Sequence, residues 1–258
     1  MLALRWGTAW RWAVAAALLA AAAGAWLGAR HGGSGLVRGD LETFGAGPPR
    51  VLLIHTHAWE GYAAGTPPAA PADVVEAAAL LGRALAARGV TAVHDRGFGR
   101  PLAGGPRLLP ADDPYAAVRP RLRRLLQAFP SVELVLDVHR DALDHAEATG
   151  ELRGWPAARL LWVVGSRPAR GMDWWPNLRA AALLTERLQR TAPGLVRGIW
   201  VKPGPYNQDA GRLSALIEIG GDGSRPEEVE RAIAPLADAV AWLLDPSRAG
   251  VSARLAPP

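Results

Sequence analysis

Three apolar runs that each carry ionisable groups at or near their end constrain this chain more than any other feature. Arg50-Val-Leu-Leu-Ile-His55-Thr-His57-Ala-Trp-Glu60 breaks an aliphatic run with two histidines and a glutamate. Leu134-Val-Leu-Asp-Val-His139-Arg140-Asp141 is a second run ending in histidine, and Ala215-Leu-Ile-Glu218-Ile-Gly-Gly221 a third that carries a carboxylate. Short continuous apolar runs read as strands buried on both faces. Ligands of open α/β sheets lie just beyond the carboxyl ends of such strands. Three strand ends therefore deliver imidazole and carboxylate groups to one edge of one sheet.

The intervening segments have helical period. Asp73 to Arg88 is an amphipathic run with Gly89 just past its end, a start and stop pattern for a helix, and Val90–His94 follows as a strand. After a turn-rich stretch from Arg96 to Asp113, helices are expected over Tyr115–Phe129, Asn177–Arg190 and Pro226–Leu244, and strands over Ser131–Val138, Arg159–Val164 and Ser214–Ile219. Strands alternating with helices of crossover length predict a three-layer α/β/α fold with a mostly parallel central sheet. A chain of 258 residues, half of them hydrophobic, fits one such domain, placed at 50–245, with a flexible tail over 246–258.

The amino terminus points to a membrane. Arg5 and Arg11 precede the uncharged span Trp12–Ala29, and Arg30 and His31 follow it. At about 1.5 Å per residue this span nearly matches a bilayer core, and Trp6, Trp10, Trp12 and Trp26 suit its interfaces. Residues 1–30 are read as a single-pass transmembrane helix, an uncleaved signal anchor in the cytoplasmic membrane, with 31–49 as a glycine-rich tether. Small-residue sites at Ala21-Ala-Ala23 and Ala23-Gly-Ala25 supply the cleaved-signal alternative. Positive charge before the span places the remaining chain outside the cytoplasm. The formal net charge of +5 is carried almost wholly by arginine, with Lys202 the one lysine. No basic helix or aromatic-basic motif points to nucleic acid.

Cysteine is absent, so a metal must be held by histidine and carboxylate. A hydrolytic zinc site needs three protein ligands and an open position. His55 and His57 sit two apart and would share a side if extended geometry persisted past the strand; which of them is the ligand stays open. Glu60 follows on the same loop and His139 arrives from another strand, while His31, His94 and His145 are read as structural. Asp137 or Asp141 is placed to fix the His139 ring from outside the ligand shell. Arg140 is suited to bidentate capture of a substrate carboxylate. Glu218 stands inside an apolar segment, where an ionisable group is costly without a partner; it is read as a general base, with a structural ion pair as the alternative.

In this order, His55-Thr-His57 with Glu60 and Tyr62, Asp137-Val-His-Arg-Asp141, Trp175-Pro-Asn-Leu178, Tyr206-Asn-Gln-Asp209 and Leu216-Ile-Glu-Ile-Gly-Gly221 resemble the stage II sporulation protein P family of cell-wall hydrolases. More distantly they are similar to the zinc-dependent N-acetylmuramoyl-L-alanine amidases. The resemblance implies hydrolysis of the amide between the lactyl group of N-acetylmuramic acid and L-alanine in peptidoglycan, with cleavage of peptide crosslinks left open. It also implies a role in sporulation, during engulfment, beside a lytic transglycosylase, the stage II sporulation protein D. Carried over by position, His57, Glu60 and His139 bind Zn2+, Glu218 is the base, and Arg140, Asn207 and Gln208 contact substrate. The broader amidases draw their ligand glutamate from the start of the next helix, which keeps Asp73 and Glu76 open as oxygen ligands. Two further readings stand beside the amidase: a non-catalytic wall-binding or scaffold module of the same fold, and a zinc deacylase acting on another extracytoplasmic amide.

Overall fold

The computed structural model describes residues 40–63, 70–99, 113–167, 173–210, 213–245 and 247. The expected span Trp12–Ala29 lies outside these residues, as does most of the tail. Among the described residues no helix is long and apolar enough to cross a membrane.

The element order is β1 (Leu41–Phe44), β2 (Val51–Ile54), α1 (Val74–Ala86), β3 (Ala92–Asp95), α2 (Pro114–Ala128), β4 (Leu134–Asp141), the single-turn α3 (His145–Ala148), β5 (Thr149–Leu152), β6 (Trp155–Ala158), β7 (Leu160–Gly165), α4 (Trp175–Thr191), β8 (Val196–Lys202), β9 (Leu213–Gly221) and α5 (Pro226–Leu243). Seven strands form one sheet in the order β1-β3-β2-β4-β9-β7-β8, and β5 and β6 form a separate hairpin. The pairings β3/β2, β2/β4, β4/β9 and β7/β8 are parallel, whereas β1/β3 and β7/β9 are antiparallel. The sheet is thus mixed at the junction of its two halves. The reversal has a physical source: parallel neighbours need a long crossover. The path from β4 to β7 offers only the one-turn α3 and a hairpin, and no helix separates β8 from β9.

Side-chain alternation along the strands assigns the layers. Val51, Leu53, Leu136, Val138, Ile217, Ile219, Trp162 and Val164 share one core with Val74 and Leu81 of α1, Leu184 of α4, and Val229 and Leu236 of α5. Asp137, His139 and Glu218 fall on the opposite phase, hence on the opposite face. That face receives α2, whose Arg121 binds Asp95 of β3 through Nε and Nη2, both at 2.6 Å. Asp113 caps α2 by accepting from the N–H groups of Tyr115 and Ala116, and Pro114 opens it. Helices on both faces make the three-layer arrangement.

Two short edge elements escape the sequence pattern. β1 lies within the stretch read as a tether; only Phe44 of its four residues is buried, so no apolar run marks it. β8 buries none of its residues and carries Gly198 at φ 139°, which leaves neither alternation nor a continuous apolar run.

Candidate metal and catalytic site

After β2 the chain runs to β3 on one side, and after β3 it crosses back to β4 on the other side of β2. This is the reversal point at which doubly wound sheets open a crevice at their carboxyl edge. The β2 loop enters that crevice. His55 continues the strand's alternation onto the α1 face and sets its Nε2 3.2 Å from His94 Nε2. Thr56 faces the other way and donates to Asp137 from both its N–H, at 2.8 Å, and its Oγ1, at 2.6 Å. A turn then follows, with the Glu60 N–H donating to the His57 carbonyl at 3.0 Å. The turn breaks the two-residue alternation and swings His57 to the Thr56 side. His55 and His57 therefore do not share a side, and His57 alone of the pair reaches His139, with ring centroids 4.8 Å apart.

His57, Glu60 and His139 each offer a ligand atom, all within 4.8 Å of one another. Glu60 Oε1 lies 2.9 Å from His57 Nδ1, and its two oxygens lie 3.3 and 3.2 Å from His139 Nδ1. The Arg140 N–H donates to Glu60 Oε2 at 3.0 Å. Burial works to raise the Glu60 carboxyl, but the two imidazoles and this N–H overcome it and hold it down at about 2. On its far side, His139 Nε2 lies 3.0 Å from Asp137 Oδ1. Burial disfavours charge on this ring, yet Asp137 and Glu60 raise it well above the ordinary histidine range. Asp137, held in turn by Thr56, is thus the carboxylate paired with the far side of the imidazole, whereas Asp141 turns to Arg197 Nη1 at 2.7 Å.

Glu218 is the Cα partner of His139 across the β4/β9 ladder, and the register shifts immediately beyond it. Gly220, at φ 71°, accommodates the extra residue there, and bulges of this kind re-aim side chains at functional sites. Glu218 Oε2 is buried with no hydrogen-bond partner among the described residues. Burial pushes this carboxyl up to about 7 against the pull of His139, and the charges of Glu60 and Asp141 add to the rise. The structural ion pair considered for Glu218 is not formed among the described residues.

The remaining expected residues have other duties. Asp73 caps α1 by accepting from the Glu76 N–H at 2.8 Å, and Glu76 accepts from the Ala72 N–H at 2.8 Å. Both carboxylates are consumed at the helix start and stand outside the cluster. Arg140 Nε donates to the Gly61 carbonyl at 2.9 Å, clamping the loop that carries Glu60. Gln208 is buried, donates to the Val163 carbonyl at 2.8 Å and accepts from the Gly165 N–H at 2.9 Å. Asn207 donates to the Tyr115 carbonyl at 2.7 Å and accepts from Arg119 Nη1 at 2.9 Å. Both amides are thus hydrogen-bonded within the fold.

The donor set of two imidazoles and one carboxylate, with an outer carboxylate on one imidazole, fits zinc. The α/β fold gathers His57, Glu60 and His139, a group able to hold a metal ion, at the carboxyl edge of its sheet, beside Glu218, whose Oε2 is buried without a hydrogen-bond partner among the described residues. The chain belongs to the stage II sporulation protein P family, whose model matches residues 34–241. It is similar to the stage II sporulation protein P of Bacillus subtilis (strain 168), with 27% identity over 201 residues, 73% of this chain and 49% of that protein. It thus spans about half the length of that relative. Among solved structures it is similar to the N-acetylmuramoyl-L-alanine amidase AmiC2 of Nostoc punctiforme, with 12% identity, TM-score 0.42, 76% of this chain and 96% of that one. Another is the CwlD amidase of Clostridioides difficile, solved in complex with the GerS lipoprotein, with 12% identity, TM-score 0.45, 74% of this chain and 94% of that one. A metallo-carboxypeptidase from Burkholderia cenocepacia is also similar, at 16% identity and TM-score 0.45, over 78% of this chain and 60% of that one.

Proposed function

We propose that this protein is a zinc-dependent peptidoglycan hydrolase that cleaves the N-acetylmuramoyl-L-alanine amide, held at the outer face of the cytoplasmic membrane by residues 1–30 and acting in sporulation. The observation that carries this reading is Glu218, opposite His139 in the ladder, whose Oε2 is buried without a hydrogen-bond partner among the described residues. Leaving such a group ionised costs several kcal/mol in a purely structural role, whereas a carboxyl raised to about 7 is matched to proton transfer near neutral pH. His57, Glu60 and His139 hold the metal, and bound zinc supplies Lewis acidity toward the amide carbonyl and water. Glu218 takes a proton from the attacking water and returns it to the leaving amine of L-alanine as the C–N bond breaks. Arg140 stands beside Glu60 with its Nε on the Gly61 carbonyl and its Nη1 on the Asp141 carbonyl, and the remainder of the guanidinium is assigned to a stem-peptide carboxylate. Family membership supports the wall as substrate; whether crosslinks are also cut stays open, and a stage II sporulation protein D transglycosylase is the partner that the resemblance implies.

The test is release of stem peptides from purified sacculi by the zinc-loaded full chain, set against Glu218→Gln. The variant is expected to lose about 10²–10⁴-fold in rate while keeping its zinc, because the amide preserves shape and removes the base. Near-normal turnover by Glu218→Gln rejects the base. A wild-type protein that binds sacculi and releases nothing supports the non-catalytic wall-binding module instead.

A further inference from the structure

A single exposed aromatic is ordinary, but one whose ring is set against a histidine of the candidate metal cluster is placed to meet whatever that cluster binds. Trp59 lies on the turn between His57 and Glu60 and is 60% exposed. Its ring lies over that of His57, with centroids 4.9 Å apart and planes 32° apart. One indole face is therefore turned to a metal-site histidine, and the side chain remains largely open to solvent.

The ring contacts extend beyond it. Tyr115, at the start of α2, sets its ring edge-on to His57 at 5.7 Å, and Tyr206 is edge-on to Tyr115 at 5.2 Å. This extension is built with strain. Tyr206 and Asn207 both adopt left-handed backbone, at φ 44° and 53°, a conformation disfavoured for residues with a side chain and retained where the surroundings over-determine it. Asn207 is held by Tyr115 and Arg119, and Arg119 Nη1 also donates to Asp209 at 2.7 Å. A Cβ on Gly204 would lie 2.8 Å from the Tyr206 ring, so the loop backbone passes close under that ring. The fold thus maintains a connected aromatic strip from Trp59 through His57 to Tyr115 and Tyr206.

We propose that this strip, with Trp59 as its exposed anchor, is a saccharide subsite that takes the pyranose ring on the acyl side of the scissile amide. The inference rests on the proposed amidase reading and deepens it by naming the part of the substrate that is gripped. Because the exposed Trp59 ring adjoins that of His57, a molecule whose amide is held at His57 and His139 lies beside the indole. Of the two sides of that amide, the peptide side presents a small alanine methyl, while the acyl side presents a pyranose with a flat C–H face. An indole supplies a wide, rigid apolar surface at little cost in conformational entropy, and it matches the pyranose.

The experiment uses binding without turnover. The full chain is titrated with a peptide-free oligosaccharide of alternating N-acetylglucosamine and N-acetylmuramic acid, and separately with free stem peptide. Wild type is expected to bind the oligosaccharide saturably, and Trp59→Ala to bind it about tenfold more weakly, the scale of one aromatic stacking contact. Trp59→Phe should restore most of the affinity. Stem-peptide affinity should be unchanged by either substitution, and Trp155→Ala, at an exposed tryptophan on the β5–β6 hairpin, should leave both ligands unaffected. Failure of the wild-type chain to bind the oligosaccharide overturns the subsite, as does an equal loss for both ligands in Trp59→Ala. A chain that binds glycan through Trp59 but hydrolyses no amide sinks the amidase reading and leaves the subsite standing.

Discussion

Glu60 is the residue on which the site's geometry depends, because it joins three things at once: both imidazoles and the backbone of β4. Its position is enforced by Arg140, whose N–H holds one carboxylate oxygen and whose Nε holds the next peptide carbonyl, at Gly61. Arg140→Ala removes the second of these and keeps the first. The expected outcome is a loop that holds Glu60 less firmly, with zinc affinity lowered by up to about tenfold, since one hydrogen bond contributes roughly 0.5–1.5 kcal/mol. Competition with a chelator measures it. Unchanged zinc affinity together with weakened stem-peptide binding assigns Arg140 to substrate alone. Asp137 offers a parallel case in which burial is overcome: the charge and hydrogen bonds of His139 and Thr56 hold its carboxyl below the ordinary range despite its full enclosure.

At the scale of elements, α5 is tied to the β4–β7 connection through one carboxylate. Glu228, in the first turn of α5, accepts from the Arg225 N–H at 3.0 Å and from Thr149 Oγ1 at 3.1 Å, and it pairs with His145 Nε2 at 2.8 Å. Burial raises this carboxyl, but the His145 contact and the two donors outweigh it and leave it lowered. A lowered folded value means that the unfolded chain binds protons first as pH falls. The stabilisation is therefore complete above the ordinary carboxylate range and is lost as pH drops through the lowered folded value. Glu228→Gln is expected to destabilise the protein at neutral pH and to shrink the difference from wild type in acid, as read by urea unfolding at a series of pH values. A difference that persists undiminished in acid contradicts this account. The motif segments around Asn177 and Gln208 form a second tie. Asn177 Nδ2 donates to the Gln208 carbonyl at 3.0 Å, and Asn177 Oδ1 accepts from the Ser214 N–H at 2.9 Å, so residues that stand far apart in sequence and share a family pattern serve as a latch between α4, the 203–210 loop and β9.

For the whole molecule, the proposed anchor sets where the chemistry takes place. The full chain is expected to stay with the membrane fraction after an alkaline wash, and a mature protein released from the membrane and beginning near Ala25 would instead identify a cleaved signal. The sequence by itself determined the strands β2, β4 and β9, because each is a continuous aliphatic run that only a two-sided sheet can bury. It also determined the helices between them, because their apolar positions recur with helical period, and it narrowed the candidate ionisable groups to His55 or His57, an acidic residue among Glu60, Asp73 and Glu76, His139 and Glu218, because ionisable groups at the ends of buried strands have few other uses. Tertiary structure decided the rest. The choice of His57 over His55 follows from a turn whose hydrogen bond reverses the alternation, and the dismissal of Asp73 and Glu76 follows from their capture by the first turn of α1. The internal use of Asn207 and Gln208 depends on carbonyls and N–H groups of Tyr115, Val163 and Gly165, which no local pattern brings near. The aromatic strip from Trp59 to Tyr206 likewise arises from contacts between segments distant in the chain. Periodicity reports how one segment meets its surroundings, whereas these features depend on which segment the surroundings turn out to be.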